Sequence, residues 1–176
     1  NERILKQAGI NAPPKTWDEL MDQAKTIKQK EILEHPIIFG LAANENSILR
    51  NLEIISAGFG GIFFNDKLEP VFQGNNSAVK KTLQWLAEGM KAGVITRASM
   101  SQGDGEIDQF MSSGTAAFSI VTDYEMKVLN DPKKSNEAGN IKNALVPGSS
   151  GAVSGTIGYV RLYSITSTAD KQNAWK

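Results

Sequence analysis

Apolar positions along this chain recur at two spacings, helical and extended, and the two alternate from one end to the other. The pattern is clearest over residues 105–129. Ile107, Phe110 and Met111 fall at i, i+3 and i+4, which predicts one apolar helix face. Gly114 follows where a helix stop favours positive φ. Residues 115–121 are then small and apolar without strict alternation, which predicts a strand buried on both faces of an α/β sheet. Thr122, Asp123, Tyr124 and Glu125 carry the T-x-x-E spacing of a capping box, so a new helix opens there. A helix N-terminus thus stands at the C-terminal end of a central strand, the edge where open α/β sheets hold ligands. Tyr124 places an aromatic ring at that edge.

The rest of the chain reads in the same way. Residues 1–8 form the end of a helix stopped by Gly9, and Pro13-Pro14 makes an extended connector. Thr16 to Glu19 is a second T-x-x-E box, opening a helix to about Lys30 with Leu20, Met21, Ala24 and Ile27 on one face. A short apolar strand is predicted over 36–42 and a helix over 48–57, broken by Gly58, Gly60 and Gly61. A small hairpin turns near Asn65-Asp66. Asn76 caps a helix to about Ala92, with Val79, Leu83, Leu86 and Met90 aligned. Residues 97–103 read as loop, and Asn130-Asp131-Pro132 ends the helix that opens at Thr122. Strands are expected over 141–146 and 156–165, the latter with Tyr159, Arg161 and Tyr163 on one face. The Gly/Ser-rich loop 147–155 separates them, and Ser167 or Thr168 caps a last helix. No internal repeat is visible. Alternating helices and strands predict an α/β fold with a parallel or mixed sheet.

Composition narrows the function classes. The 176 residues suit one domain with a substantial core. Lys and Arg number 19, Asp and Glu also 19, for a net charge of +0, which gives no support to a nucleic-acid or polybasic membrane partner. The absence of cysteine removes disulfides, thiolate metal sites and thiol catalysis from consideration. No apolar run reaches transmembrane length. The chain opens and closes inside helical patterns, so a fragment of a longer protein is expected.

Several blocks, in order, resemble the extracellular solute-binding proteins of ABC importers, especially those for sugars and oligosaccharides (the maltose-binding-like family). Phe110, Gly114, Ala116, Ala117 and Tyr124 match a recurrent segment whose aromatic is usually Trp and stacks on a sugar ring. The stretch from Leu5 through Thr16-Trp17-Asp18-Glu19-Leu20 to Lys25 is similar to the signature opening the second lobe. Gly60-Gly61 with its following turn, the helix within 78–95, Pro147-Gly148, and 158–175 match further blocks. The resemblance covers nearly the whole chain. It implies an α/β lobe of a type II periplasmic-binding-protein-like fold, with a central mixed or parallel sheet flanked by helices. Residues 1–176 would be mostly the C-terminal lobe of a monomeric, two-lobed receptor, extracytoplasmic in the periplasm or lipid-anchored at the surface. Its ligand would be a carbohydrate and its partner an ABC permease, with no cofactor and no catalysis.

Candidate ligand residues follow, each with a plainer alternative. Tyr124 either stacks on a sugar or packs with its hydroxyl in solvent. Asp123 either bonds ligand hydroxyls or helps cap its helix. Asn44, Glu45, Asn46 and Arg50 lie where strand gives way to helix, where turn and capping chemistry would equally place them; Arg50 could fork two hydroxyls or a carboxylate. Tyr159 and Arg161 follow the Gly/Ser loop, and Arg161 either lies on an exposed strand face or recognises an acidic sugar. Trp17, Trp85 and Trp175 read as core residues. His35 is the only histidine, and no metal site is expected around it. Asp104, Glu106 and Asp108 lack the rest of a calcium loop and read as negative charge at a helix N-terminus.

Enzyme motifs are absent. G-x-S-x-G fails around Ser154 because Ala152 takes the first glycine position, and no P-loop or strand-linked G-x-G-x-x-G occurs. Paired carboxylates for glycoside hydrolysis remain open, since their spacing is spatial. A carbohydrate-active enzyme domain and a ligand-sensing module for a membrane signalling partner are the alternatives to the receptor.

Overall fold

The computed structural model describes residues 1–151, 154–158 and 164–174. Seven α-helices occur among them: α1 (Glu2–Gln7), α2 (Trp17–Gln29), α3 (Ser47–Gly58), α4 (Ala78–Lys91), α5 (Asp104–Ser112), α6 (Asp123–Leu129) and α7 (Lys171–Ala174). A 3-10 turn, Arg97–Ser101, precedes α5 where a loop is expected. The extended segments between helices meet through isolated bridges, and the described residues contain no longer ladder.

Segment 36–41 is the centre. Ile37 bridges in parallel to Ile95 on one side and to Phe118 on the other. Its odd residues, Ile37 and Phe39, pack with Trp17, Leu20, Ile55, Trp85 and Leu86 of α2, α3 and α4. Ile38 points the other way and packs with Ile107, Met111, Ala116, Leu129 and Ile141. Extended backbone sends successive side chains to opposite faces, so one apolar segment serves two helical layers. Two buried polar side chains hold its backbone. Ser99 Oγ accepts from Phe39 N–H at 3.1 Å, and Asn51 Nδ2 donates to Gly40 O at 2.9 Å.

Capping sets the helix starts. Thr16 Oγ1 accepts from Glu19 N–H at 3.1 Å, while the Glu19 carboxylate reaches one residue further back, to Lys15 N–H. The Glu125 carboxylate accepts from Thr122 N–H, the return half of the expected box. Gly9 and Gly114 end their helices at φ +76° each, a conformation glycine adopts without penalty. The hairpin closes through a bridge between Phe64 and Pro70.

The structure corrects the expected pattern at several points. Ser77, not Asn76, caps α4. The inner face of α4 is Thr82, Trp85, Leu86 and Gly89, leaving Leu83 52% exposed. The rotation follows the Trp85 ring, which lies 5.1 Å from the Trp17 ring while its Nε1 donates to Trp17 O. The Thr82 hydroxyl, carried inward with it, meets Ser56 Oγ at 3.0 Å. Asp170, rather than Ser167 or Thr168, receives the first N–H groups of α7. Within 115–121 only Ala116 and Ala117 are buried, and residues 118–121 stand half-buried beside an apolar trough. The strand expected over 141–146 is not formed: the segment has no regular secondary structure and no bridge. Trp175 and the strand face of Tyr159, Arg161 and Tyr163 lie outside the described residues.

A buried carboxylate ties α1 to the loop after α6. Glu137 accepts from Arg3 Nε and Nη2 and from Asn140 Nδ2. The Arg3 guanidinium, with Asn1 and Asn140 assisting, holds the Glu137 carboxyl below its usual range. Its contribution to stability is therefore complete above the unfolded value near 4.5 and is lost as pH falls through the lowered folded value. Replacing Glu137 by Gln should cost about 1–2 kcal/mol at pH 7, and the difference from wild type should shrink below pH 4 or so. Urea unfolding of the full-length protein across pH would measure it.

Candidate ligand-binding edge

Three chain segments define the C-terminal end of the central segment. Leu41 N–H and Ala42 N–H bond to Ser99 O and Gln102 O, which draws the turn before α5 against it. Residues 43–46 then turn into α3, and α6 opens after 115–121. Side chains bridge these pieces. Arg50 on α3 bonds to Asp104 at the start of α5. The Glu45 carboxylate lies so close to Gly103 that a Cβ there would sit 2.0 Å from its Oε2. Glycine at this position lets a carboxylate approach the α5 entry, whose own Gly103 N–H is held by Glu106.

The sequence-predicted residues fall into three groups. Asn44, Glu45 and Asn46 are exposed at the entry of α3, and the Asn46 side chain makes no cap bond there. Arg50 turns its guanidinium to Asp104, with 14% of its side chain exposed. Asp123 and Tyr124 lie in the first turn of α6, where Asp123 is exposed and Tyr124 is 76% exposed. The α6 cap is made by Glu125, so neither residue is used for it. Tyr159 and Arg161 lie outside the described residues.

Between these groups stands an acidic pair that the pattern of charges does not single out. Asp108 on α5 is pushed up to about 6, first by burial, then by the charges of Glu125 and Asp104. Its Oδ1 is buried with no hydrogen-bond partner. Sequence spacing reads Asp104, Glu106 and Asp108 alike as helix-end charge, whereas the fold gives them three roles. Asp104 holds Arg50, Glu106 caps Gly103, and Asp108 faces the charge of Glu125 across the α5–α6 contact. Only the three-dimensional contact separates them. His35 is committed elsewhere, with Nδ1 2.8 Å from Gly93 O, and no metal-binding group of side chains occurs among the described residues.

This arrangement can do one kind of chemistry well. It presents an exposed aromatic ring, amides and carboxylates around a solvent-open edge. An apolar ring face with polar neighbours suits a flat polyhydroxylated molecule, whose C–H face stacks while its hydroxyls bond.

The comparisons with known proteins agree on the family. The family model for bacterial extracellular solute-binding proteins matches residues 1–176. A curated protein of Deinococcus radiodurans, named "Probable ABC transporter-binding protein", is 32% identical over 119 residues, covering 65% of this chain and 28% of that protein. Among solved structures, maltose-bound MalE3 of T. maritima superposes with a TM-score of 0.76 at 22% identity, over 84% of this chain and 37% of that one. A solute-binding protein of an Agrobacterium vitis ABC transporter, with bound D-mannitol, gives 0.69 at 27% identity over 84% and 35%. A sugar transporter protein of Arthrobacter chlorophenolicus, with bound laminaribiose, gives 0.67 at 21% over 84% and 35%. The chain thus spans about a third of the length of these relatives.

Asp108 should give this edge a pH signature. With its folded value above the unfolded one near 3.8, its contribution favours the folded state at low pH and is lost as pH rises through about 6. Because the group is partly solvated, water screens the effect to about 1 kcal/mol. Asp108→Asn should therefore raise the melting temperature at pH 7 and leave it nearly unchanged at pH 4, as a thermal-melt series on the full-length protein would test.

Proposed function

Because the chain belongs to the bacterial extracellular solute-binding protein family, we propose that residues 1–176 form most of the C-terminal lobe of a two-lobed, type II receptor. The full-length protein captures a carbohydrate by lobe closure outside the cytoplasmic membrane and delivers it to an ABC permease, without turnover. The observation that carries this reading is Tyr124. A ring 76% exposed in the first turn of a helix, at the end of the central layer, contributes nothing to this lobe's own core. Exposed aromatic surface of this kind is worth most when a ligand covers it. The bound maltose, mannitol and laminaribiose of the similar structures are polyhydroxylated and fit the same chemistry.

The charge of the edge favours a neutral saccharide over an acidic one. Glu45 and Asp123 are exposed there, Asp104 is 42% exposed, and Arg50 is engaged with Asp104. A uronate would meet these carboxylates at close range, while a neutral sugar would find hydrogen-bond acceptors. Closure follows from differential affinity: a saccharide stabilises the closed form by the contacts it gains there with the opposite lobe.

A thermal-shift screen of the full-length protein against neutral mono- and oligosaccharides and their acidic counterparts tests both points. Neutral saccharides should raise the melting temperature more than acidic ones. Calorimetry on the best ligand should find Tyr124→Ala weaker by about 5- to 30-fold, roughly 1–2 kcal/mol, with Tyr124→Phe close to wild type. An absence of saccharide binding, or hydrolysis of the oligosaccharides, would overturn the reading, the latter in favour of a carbohydrate-active enzyme.

A further inference from the structure

Helices α5 and α6 meet through an apolar contact with two carboxyl groups at its rim. Ile107 and Met111 of α5 pack with Leu129 of α6 and with Ile38, and Met126 joins them. Asp108, next to Ile107, and Glu125, next to Met126, bring their carboxyl groups to the same contact. Glu125 is 8% exposed, and among the described residues its hydrogen-bond partner is Thr122 N–H, the cap of α6. Asp108 Oδ1 is buried and has no hydrogen-bond partner among the described residues. The charges that face Asp108 are Glu125 from α6 and Asp104 from its own helix; Arg50 of α3 turns its guanidinium to Asp104.

Two carboxylates at one partly buried contact repel each other, and a buried charge without a partner is costly. Glu125 spends an oxygen on the Thr122 N–H, while Asp108 holds a buried oxygen with nothing to accept from. The proton that relieves the contact therefore sits on Asp108, whose carboxyl is pushed up to about 6 by burial and by these neighbours. Loss of that proton sets a second negative charge against Glu125. The repulsion falls on the Thr122 cap, and the turn behind that cap carries Asp123 and Tyr124.

We propose that Asp108 is a positioning residue for the ligand edge: when neutral it lets Glu125 cap α6 and hold the turn that carries Tyr124, and when ionised it loosens that turn. Saccharide affinity is therefore higher at pH 5 than at pH 7.5. By reciprocity, a bound saccharide makes Asp108 hold its proton more tightly. The ligand part of this inference rests on the reading of Tyr124 as a sugar platform, and the helix part does not.

Amide exchange at Thr122 in the ligand-free, full-length protein tests the helix part. Corrected for the intrinsic pH dependence of exchange, protection of this amide should fall about threefold or more between pH 5 and pH 7.5. Asp108→Asn, neutral at both, should show no such fall. Calorimetry with the best saccharide should find wild-type binding weaker by about threefold over the same interval and Asp108→Asn binding alike at both ends. A flat Thr122 profile in the wild type, or an equal fall in Asp108→Asn, would overturn the proposal. So would saccharide affinity that ignores pH while Thr122 responds, because the turn would then not serve the ligand. A protein that binds no saccharide would sink the receptor reading and leave the Thr122 profiles to decide whether Asp108 controls the turn.

Discussion

The structure depends on Ile37 being paired on both sides. Its N–H and C=O are taken by Val94 and Thr96, and its neighbours Pro36 and Ile38 bond to 117–118. Pairing of this kind satisfies the backbone on both edges, and the two faces are covered separately, by the residues packed with Ile37 and Phe39 on one side and with Ile38 on the other. The segment's side chains must be apolar in both directions, and helices must cover both sides. The packing of α2, α3 and α4 on one face and α5 and α6 on the other follows from that requirement. The candidate edge lies where the chain leaves the central segment, and the exposed Asn44, Glu45 and Asn46 gather there.

The local signals of the sequence transfer well to the fold. Thr16, Thr122, Gly9 and Gly114 mark helix ends because caps and positive φ are decided within a few residues. The apolar run 36–42, the core tryptophans Trp17 and Trp85, and the helix start that carries Tyr124 are likewise legible from pattern and position, whereas the central place read for 115–121 belongs to 36–41. Readings that depend on distant partners transfer less well. The face of α4 turns on a ring in α2, sixty-eight residues away in sequence. The difference between Asp104 and Asp108 turns on Arg50 and Glu125. The trough cannot be seen in the sequence at all, since its walls, 117–121 and 141–147, come together only in the fold.

The edge and the trough divide the work of the 115–121 segment. Its start is anchored by Asn1 and Pro36, its middle borders the trough, and its end delivers Thr122 to the α6 cap. The position of Tyr124 therefore depends on how firmly this one segment is held. The packing around Pro36 and the exposure of the Tyr124 ring are thus coupled through a few residues of chain.

Ser99 and Asn51 acquire a meaning from the same geometry. In a strand with one wet face, sliding by a single residue is forbidden because it would expose the core set and bury the polar set. Segment 36–41 lacks that protection. Exchanging the sides of Ile37, Ile38 and Phe39 would bury oil against oil either way. What distinguishes the native alignment is the buried Ser99 hydroxyl, which only Phe39 N–H satisfies, and the buried Asn51 amide, which finds its acceptor at Gly40. Two polar side chains thus act as index pins for the most hydrophobic part of the molecule, fixing a position to which greasiness alone is indifferent.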